Sequence, residues 1–205
     1  MKYTLHHHRN SDSLVTQSSK FKDDFEELTQ VIKNISENDL KTHFIKRKEQ
    51  EKLGKVKEFK SISVSINNLL KSNLIEQGWE YETPIFLDTD YSKKRWRLDF
   101  TKNNICIEVA FNHREAVAHN ILKPVLSTEQ NLLKKDFNAE LGIVITAKSS
   151  LKRTGNFDSA IGTYEDFIEY FKPYSFFIRN PLIIIGLEGL ETFKIDKISR
   201  MPSEN

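Results

Sequence analysis

Asp99 and Glu108 stand nine residues apart in Arg97-Leu98-Asp99-Phe100-Thr101-Lys102-Asn103-Asn104-Ile105-Cys106-Ile107-Glu108-Val109-Ala110-Phe111, which reads as two adjoining strands joined by a tight turn. Magnesium prefers a few carboxylate oxygens, waters and substrate phosphate oxygens to an all-protein cage. Two acids projecting toward a phosphodiester are therefore a minimum kit for metal-assisted hydrolysis. Period-two alternation puts Leu98 and Phe100 on one face of the first strand and Arg97 and Asp99 on the other. On the second strand Cys106, Glu108 and Ala110 point one way, and Ile105, Ile107, Val109 and Phe111 the other. Glu108 is thus a charge in an otherwise apolar strand. Burying a lone carboxylate is costly, so either a metal or a cation such as Arg95 or Arg97 should compensate it.

A chain of 205 residues supports one sizeable core, so a single domain over 1–205 is expected. Its 38% hydrophobic and 29% charged residues describe a globular protein with a polar surface, and the longest apolar run, Leu182 to Leu187, is far below a membrane-spanning length. The N-terminal stretch lacks an export signal, and one cysteine, Cys106, cannot form an internal disulfide; a reducing cytoplasm is the expected setting. The net charge of +2 says little about partners. Its distribution says more. Residues 41–60 carry eight Lys or Arg against three Glu, four cations lie in Lys93-Lys94-Arg95-Trp96-Arg97, and Lys148, Lys152 and Arg153 form a third cluster. Each cluster reads as a solvated face or as basic surface for phosphate.

The elements that must position the acids follow from periodicity. Phe21, Phe25, Leu28, Ile32 and Ile35 mark an amphipathic helix; residues 38–60 read as a charge-rich helix ending near Gly54, and Ser65 to Glu76 as a third, stopped by Gly78. The β region is expected after Trp79: Pro84 to Leu87, 95–101, 105–111, Leu141 to Ala147 and Leu182 to Leu187. Helices are expected at 114–135, kinked or broken by Pro124, and at 163–171. This order suits an α/β fold with a mixed central sheet flanked by helices and crossover connections. The polar termini, 1–17 and 195–205, are expected to be loosely ordered, and His6-His7-His8 to belong to such a tail rather than to a metal site.

Asp99, the nine-residue step to Glu108, and Glu108-Val109-Ala110-Phe111 resemble the active-site hairpin of the PD-(D/E)XK nucleases, most closely that of the BglII and BstYI restriction endonucleases, which have Glu-Val-Gln-Phe there. Leu74-Ile75-Glu76-Gln77-Gly78-Trp79, Ser159-Ala160-Ile161-Gly162-Thr163-Tyr164-Glu165 and Pro181-Leu182-Ile183-Ile184-Ile185-Gly186-Leu187 resemble further segments of those enzymes in the same order. The resemblance implies a restriction-endonuclease-like fold, a Mg2+ site at Asp99, Glu108 and the Val109 carbonyl, and a helix acid at Glu27, with Glu26 its neighbour. One departure matters. The position holding Gln in the BglII-like enzymes, or Lys in the wider superfamily, is Ala110, which cannot orient a water or stabilise charge at phosphorus. Asn112, His113 and Lys102 are candidates for that role.

Base reading needs side chains such as Arg, Lys, Asn or Gln. The resemblance places them in Lys148 to Ser159, with Lys152, Arg153, Asn156, Asp158 and Ser159, and in Asn112, His113 and Arg114 after the catalytic strand. Lys60, Lys93 and Lys94 suit phosphate. Cutting both strands of a palindrome calls for a two-fold homodimer, and by resemblance Ala116, Val117, Ile121 and Val125 offer an interface, or else core. The expected activity is that of a Type II restriction endonuclease acting on double-stranded DNA at a short palindrome, with a GATC-related site as first guess. A repair or junction nuclease, and a catalytically silent DNA-binding dimer, are the rival expectations.

Overall fold

A computed structural model describes residues 1–87, 96–129 and 137–205. The elements are β1 (Tyr3–His8), α1 (Ser11–Gln17), α2 (Ser19–Asn34), α3 (Glu37–Lys52), α4 (Ser63–Glu76), β2 (Glu80–Pro84), β3 (Arg97–Lys102), β4 (Ile105–Ala110), a 3-10 turn (Arg114–Ala116), α5 (Val117–Thr128), β5 (Leu141–Ala147), α6 (Ser149–Thr154), α7 (Tyr164–Tyr174), β6 (Leu182–Leu187), β7 (Phe193–Ile195) and β8 (Pro202–Glu204).

Six strands form the central sheet in the order β1-β6-β5-β4-β3-β2, and β7 pairs with β8 apart from it. The β4, β5 and β6 strands run parallel, while β3, β2 and β1 join antiparallel. Every residue of β5 and β6 is buried, as their unbroken apolar sequences require of central parallel strands covered on both faces. One face carries Ile105, Ile107, Ile143, Ile145, Ile183 and Ile185 and packs against the apolar stripes of α2, α3 and α4, including Leu28, Ile32, Phe44 and Ile66. The opposite face carries Ala110, Val144, Leu182 and Ile184 beneath Val117 and Ile121 of α5 and Phe167 and Phe171 of α7.

The mixed sheet with helical flanks is as expected. The termini are not. Residues 3–8 form an edge strand, in register from Tyr3 opposite Leu187 to His8 opposite Leu182, so the β region begins before the helices. His6 and His8 lie edge-on to the Phe171 ring, and His8 Nε2 is 2.8 Å from the Ile178 carbonyl; the three histidines are strand residues. The C-terminal segment forms β7 and β8 and is tied down by Asn205 Nδ2, which donates to the carbonyls of Leu190 and Glu191. The expected strand at Pro84 to Leu87 lies earlier, with only Pro84 in β2. Pro124 sits inside α5 without ending it. The end of the helix expected at 114–135, and Lys93, Lys94 and Arg95, lie outside the described residues.

Candidate active site

β3 pairs with β4 so that Phe100 faces Ile107 and Thr101 faces Cys106; just past the end of this register Asp99 reaches the β4 backbone beside Glu108. There the strand departs from simple alternation. Leu98 packs with Cys106 under α5, whereas Phe100 joins the core on the other face, so the two do not share a face as the sequence suggested. Beside this slip, on β2, Glu82 takes the left-handed backbone conformation with φ 57°. The Val109 amide donates to Asp99 Oδ2 at 2.6 Å, giving the carboxylate a place in the backbone framework.

Glu108 is 4% exposed, and its Oε2 accepts from Lys123 Nζ of α5 at 2.5 Å. Lys123 is itself buried at 9% exposure. Burial first, and the Asp99 charge second, push the Glu108 carboxyl up from 4.5 to about 8, against the pull of Lys123. Asp99 also lies above its ordinary value, again chiefly through burial, partly offset by the Val109 amide and Lys123. The physical content is a charge deficit: two neighbouring carboxylates, one buried and one half-buried, with a single ammonium on Glu108. A divalent cation fits that deficit. Among the described residues no cluster of three or more His, Cys, Asp and Glu side chains could hold a metal ion. A cation held here would take its side-chain oxygens from the two carboxylates and its remaining ligands from backbone carbonyl, water or phosphate oxygens.

Among the described residues the cation that meets Glu108 is Lys123, which is not one of the two arginines expected from the sequence. Arg97 Nε donates to the Glu82 carbonyl at 2.8 Å, and Arg95 lies outside the described residues. Sequence reasoning missed Lys123, although a signal exists: Asn120, Lys123 and Ser127 recur at helical spacing within an apolar helix, and all three are buried. The structure does not bring Glu27 to the acid pair. Glu27 lies on α2, on the other face of the sheet, where its Oε1 accepts from Trp79 Nε1 and Lys102 Nζ, each at 2.7 Å. That arrangement engages Lys102 too, which also donates to the Gln77 carbonyl, and so removes it as a candidate for the role absent at Ala110.

The two expected reading segments meet beside the site. The Arg114 amide donates to the Ala160 carbonyl, the Gly162 amide to the Asn112 carbonyl, and His113 bridges to Ile161. A cleft of about 290 Å³ opens there, lined by His113, Arg114, Glu115, Ser159, Ala160 and Tyr170. Both segments leave the carboxyl ends of parallel strands, β4 and β5, the edge on which the acids sit. The second is not all loop, since Ser149–Thr154 is helical. Several of its side chains brace the segment: Lys152 Nζ donates to the Ser159 and Ile161 carbonyls, Asp158 Oδ1 accepts from the Ala160 amide, and Asn156, at φ 52°, donates to the Lys60 carbonyl. Arg114 pairs with Asp166 at 3.1 Å. Asn112, His113, Arg153 and Ser159 are exposed. The Ile62 amide donates to the Gly155 carbonyl, and a Cβ at Gly155 would come within 2.6 Å of Ile62 Cγ2, so only glycine allows this approach. Of the expected interface residues, Val117 and Ile121 are fully buried core, Val125 packs against the same cluster and Ala116 is half-buried. Leu122 and His119 face outward instead.

No curated protein sequence matches the chain. Its fold is similar to that of the BglII restriction endonuclease crystallised with a DNA 16-mer, at a TM-score of 0.67 and 17% identity over 100% of this chain and 90% of that one. It is also similar to free BglII, at a TM-score of 0.57 and 15% identity over 95% and 83% of the two chains. The family profile described as restriction endonuclease BglII/BglIII matches residues 3–187, and the chain therefore belongs to that family of site-specific deoxyribonucleases.

Proposed function

We propose that this restriction endonuclease cuts both strands of double-stranded DNA at a short palindrome, GATC-related in the first instance, with Mg2+ held by Asp99, Glu108 and the Val109 carbonyl. The neighbouring pair of acids, Asp99 half-buried and Glu108 buried and raised to about 8 by its burial and by the Asp99 charge, carries this reading. A bound magnesium supplies an activated water and neutralises charge on the scissile phosphate. The chain's own residues do the rest. Asp99 is oriented by the Val109 amide, and Glu108 presents one oxygen while Lys123 of α5 engages the other. The exposed Asn112, His113, Arg153 and Ser159 form the base-reading group, Arg114 beside them is held by Asp166, Lys152, Asn156 and Asp158 brace the segment, and Lys60 lies on phosphate; the DNA-bound state of the structurally similar BglII supports a duplex as partner.

A palindrome read by one site per strand calls for a two-fold homodimer, and the outward side of α5, with Leu122 and His119, is the face left for it once Val117 and Ile121 are assigned to the core. The whole chain acts as one endonuclease domain in the cytoplasm. Among the described residues no helix is long and apolar enough to cross a membrane. Incubation with a mapped plasmid and magnesium, beside Asp99→Ala, tests the reading. Discrete fragments from the wild type and none from the variant are expected. Retained cutting by Asp99→Ala excludes the site, and a smear or junction-specific cutting excludes palindrome reading.

A further inference from the structure

We propose that Lys123 is a catalytic residue of this nuclease, placing on the scissile phosphate the positive charge that residue 110 cannot supply. The inference deepens the reading above and rests on it. Three observations carry it. Lys123 Nζ meets Glu108 Oε2 at 2.5 Å, which leaves Oε1 and the Asp99 carboxylate for the metal. Lys123 is buried, and a lysine is rarely placed there without a task or a partner to offset its desolvation. Ala110, 1% exposed, lies under Val117 and Ile121 of the very helix that bears Lys123. The small side chain at 110 and the ammonium from 123 are thus two halves of one arrangement. A long polar residue at 110 would prop α5 away from the sheet, whereas alanine lets the helix settle close enough for Lys123 to span to Glu108.

In the reaction a water oxygen forms the new bond to phosphorus, the bond from phosphorus to the leaving sugar oxygen breaks, and that oxygen takes the electron pair. The water's proton passes to solvent, and a solvent proton reaches the leaving oxygen. Lys123 stays charged throughout and stabilises the negative charge that accumulates on the phosphoryl oxygens. The position of its ammonium on Glu108 would keep it beside a metal held by the two acids without making it a ligand.

Lys123→Gln retains a hydrogen-bond donor for Glu108 but no charge, and Lys123→Ala leaves a gap that a small alkylammonium ion can enter. Plasmid cutting in magnesium is expected to slow about 100-fold or more in both variants, as when a preorganised electrostatic donor is removed. Calorimetric binding of Mn2+ to the DNA-free protein should stay as tight as in the wild type or tighten, because a competing cation has gone. Ethylammonium chloride, but not sodium chloride at equal ionic strength, should restore at least a tenfold gain to Lys123→Ala. Cutting within about threefold of the wild type by the folded Lys123→Gln protein would overturn the proposal, as would loss of Mn2+ binding in parallel with loss of cutting, which is the mark of a residue that merely supports the ligands. Cutting retained by Asp99→Ala would instead overturn the metal site on which the proposal rests.

Discussion

Replacing Glu108 by Gln should make the metal-free protein more stable at neutral and mildly alkaline pH, although it destroys the site. A neutral amide reproduces the protonated acid and can still accept from Lys123. In the folded chain Glu108 holds its proton up to about pH 8, whereas an unfolded glutamate releases it near 4.5. Between those values the native state binds more protons than the unfolded one, so the Glu108 contribution is greatest below the ordinary carboxylate value and is lost as pH rises toward 8. The loss amounts to about 1.4 kcal/mol per pH unit, or about 2–3 kcal/mol between about pH 5.5 and about pH 7.5, with a ceiling on the order of 5 kcal/mol. The Gln variant lacks this slope. Urea unfolding in a chelator at the two pH values, wild type beside variant, reads the difference directly. Saturating Mg2+ should then raise the wild type at the upper pH and leave the variant nearly unmoved, since binding to the native state stabilises only what can bind. A stability gap that stays constant across that pH range would refute the claim that burial and the Asp99 charge outweigh Lys123 at Glu108.

Three other outcomes follow from the same packing. Glu27→Gln should cost about 1–3 kcal/mol by weakening the contacts to Trp79 and Lys102 while leaving the cutting rate within a few-fold, measured by thermal melting and by plasmid digestion. Ala110→Gln, which installs the residue of the BglII-like enzymes, should destabilise by about 1–3 kcal/mol through overpacking under Val117 and Ile121, seen as a lower denaturation midpoint. Gly142→Ala should cost a similar amount, about 1–3 kcal/mol, because its Cβ would lie 2.9 Å from both Leu182 Cδ1 and Pro124 Cβ, and because it presses on α5 it should slow cutting as well.

The sheet and its helices were legible because their cues are local: apolar runs for β5 and β6, a seven-residue rhythm for α2, a capping box on Thr163 and Asp166 for α7. The acid pair was legible because a hairpin brings its partners together at fixed register. β1 was not, since its partner lies some 180 residues away on β6 and its alternation, Met1, Tyr3 and Leu5, is short and runs into three histidines. Lys123 stayed hidden for the same reason. The spacing of Asn120, Lys123 and Ser127 marks a polar row on an apolar helix, but the partner of Lys123 is set by that helix lying down against β4, which no window of sequence contains. Glu27 was misread in the other direction: a helix acid near the N-terminus matches the family's pattern, but here Trp79 and Lys102 draw it to the opposite face.

The hydrogen bonds from Asn156 to Lys60 and from Ile62 to Gly155 fuse the basic stretch ahead of α4 to the segment that follows α6. Under the proposed reading, a grip on the sugar-phosphate rail through the first stretch would carry the second with it, so that alignment over the bases would depend on how firmly the backbone is held.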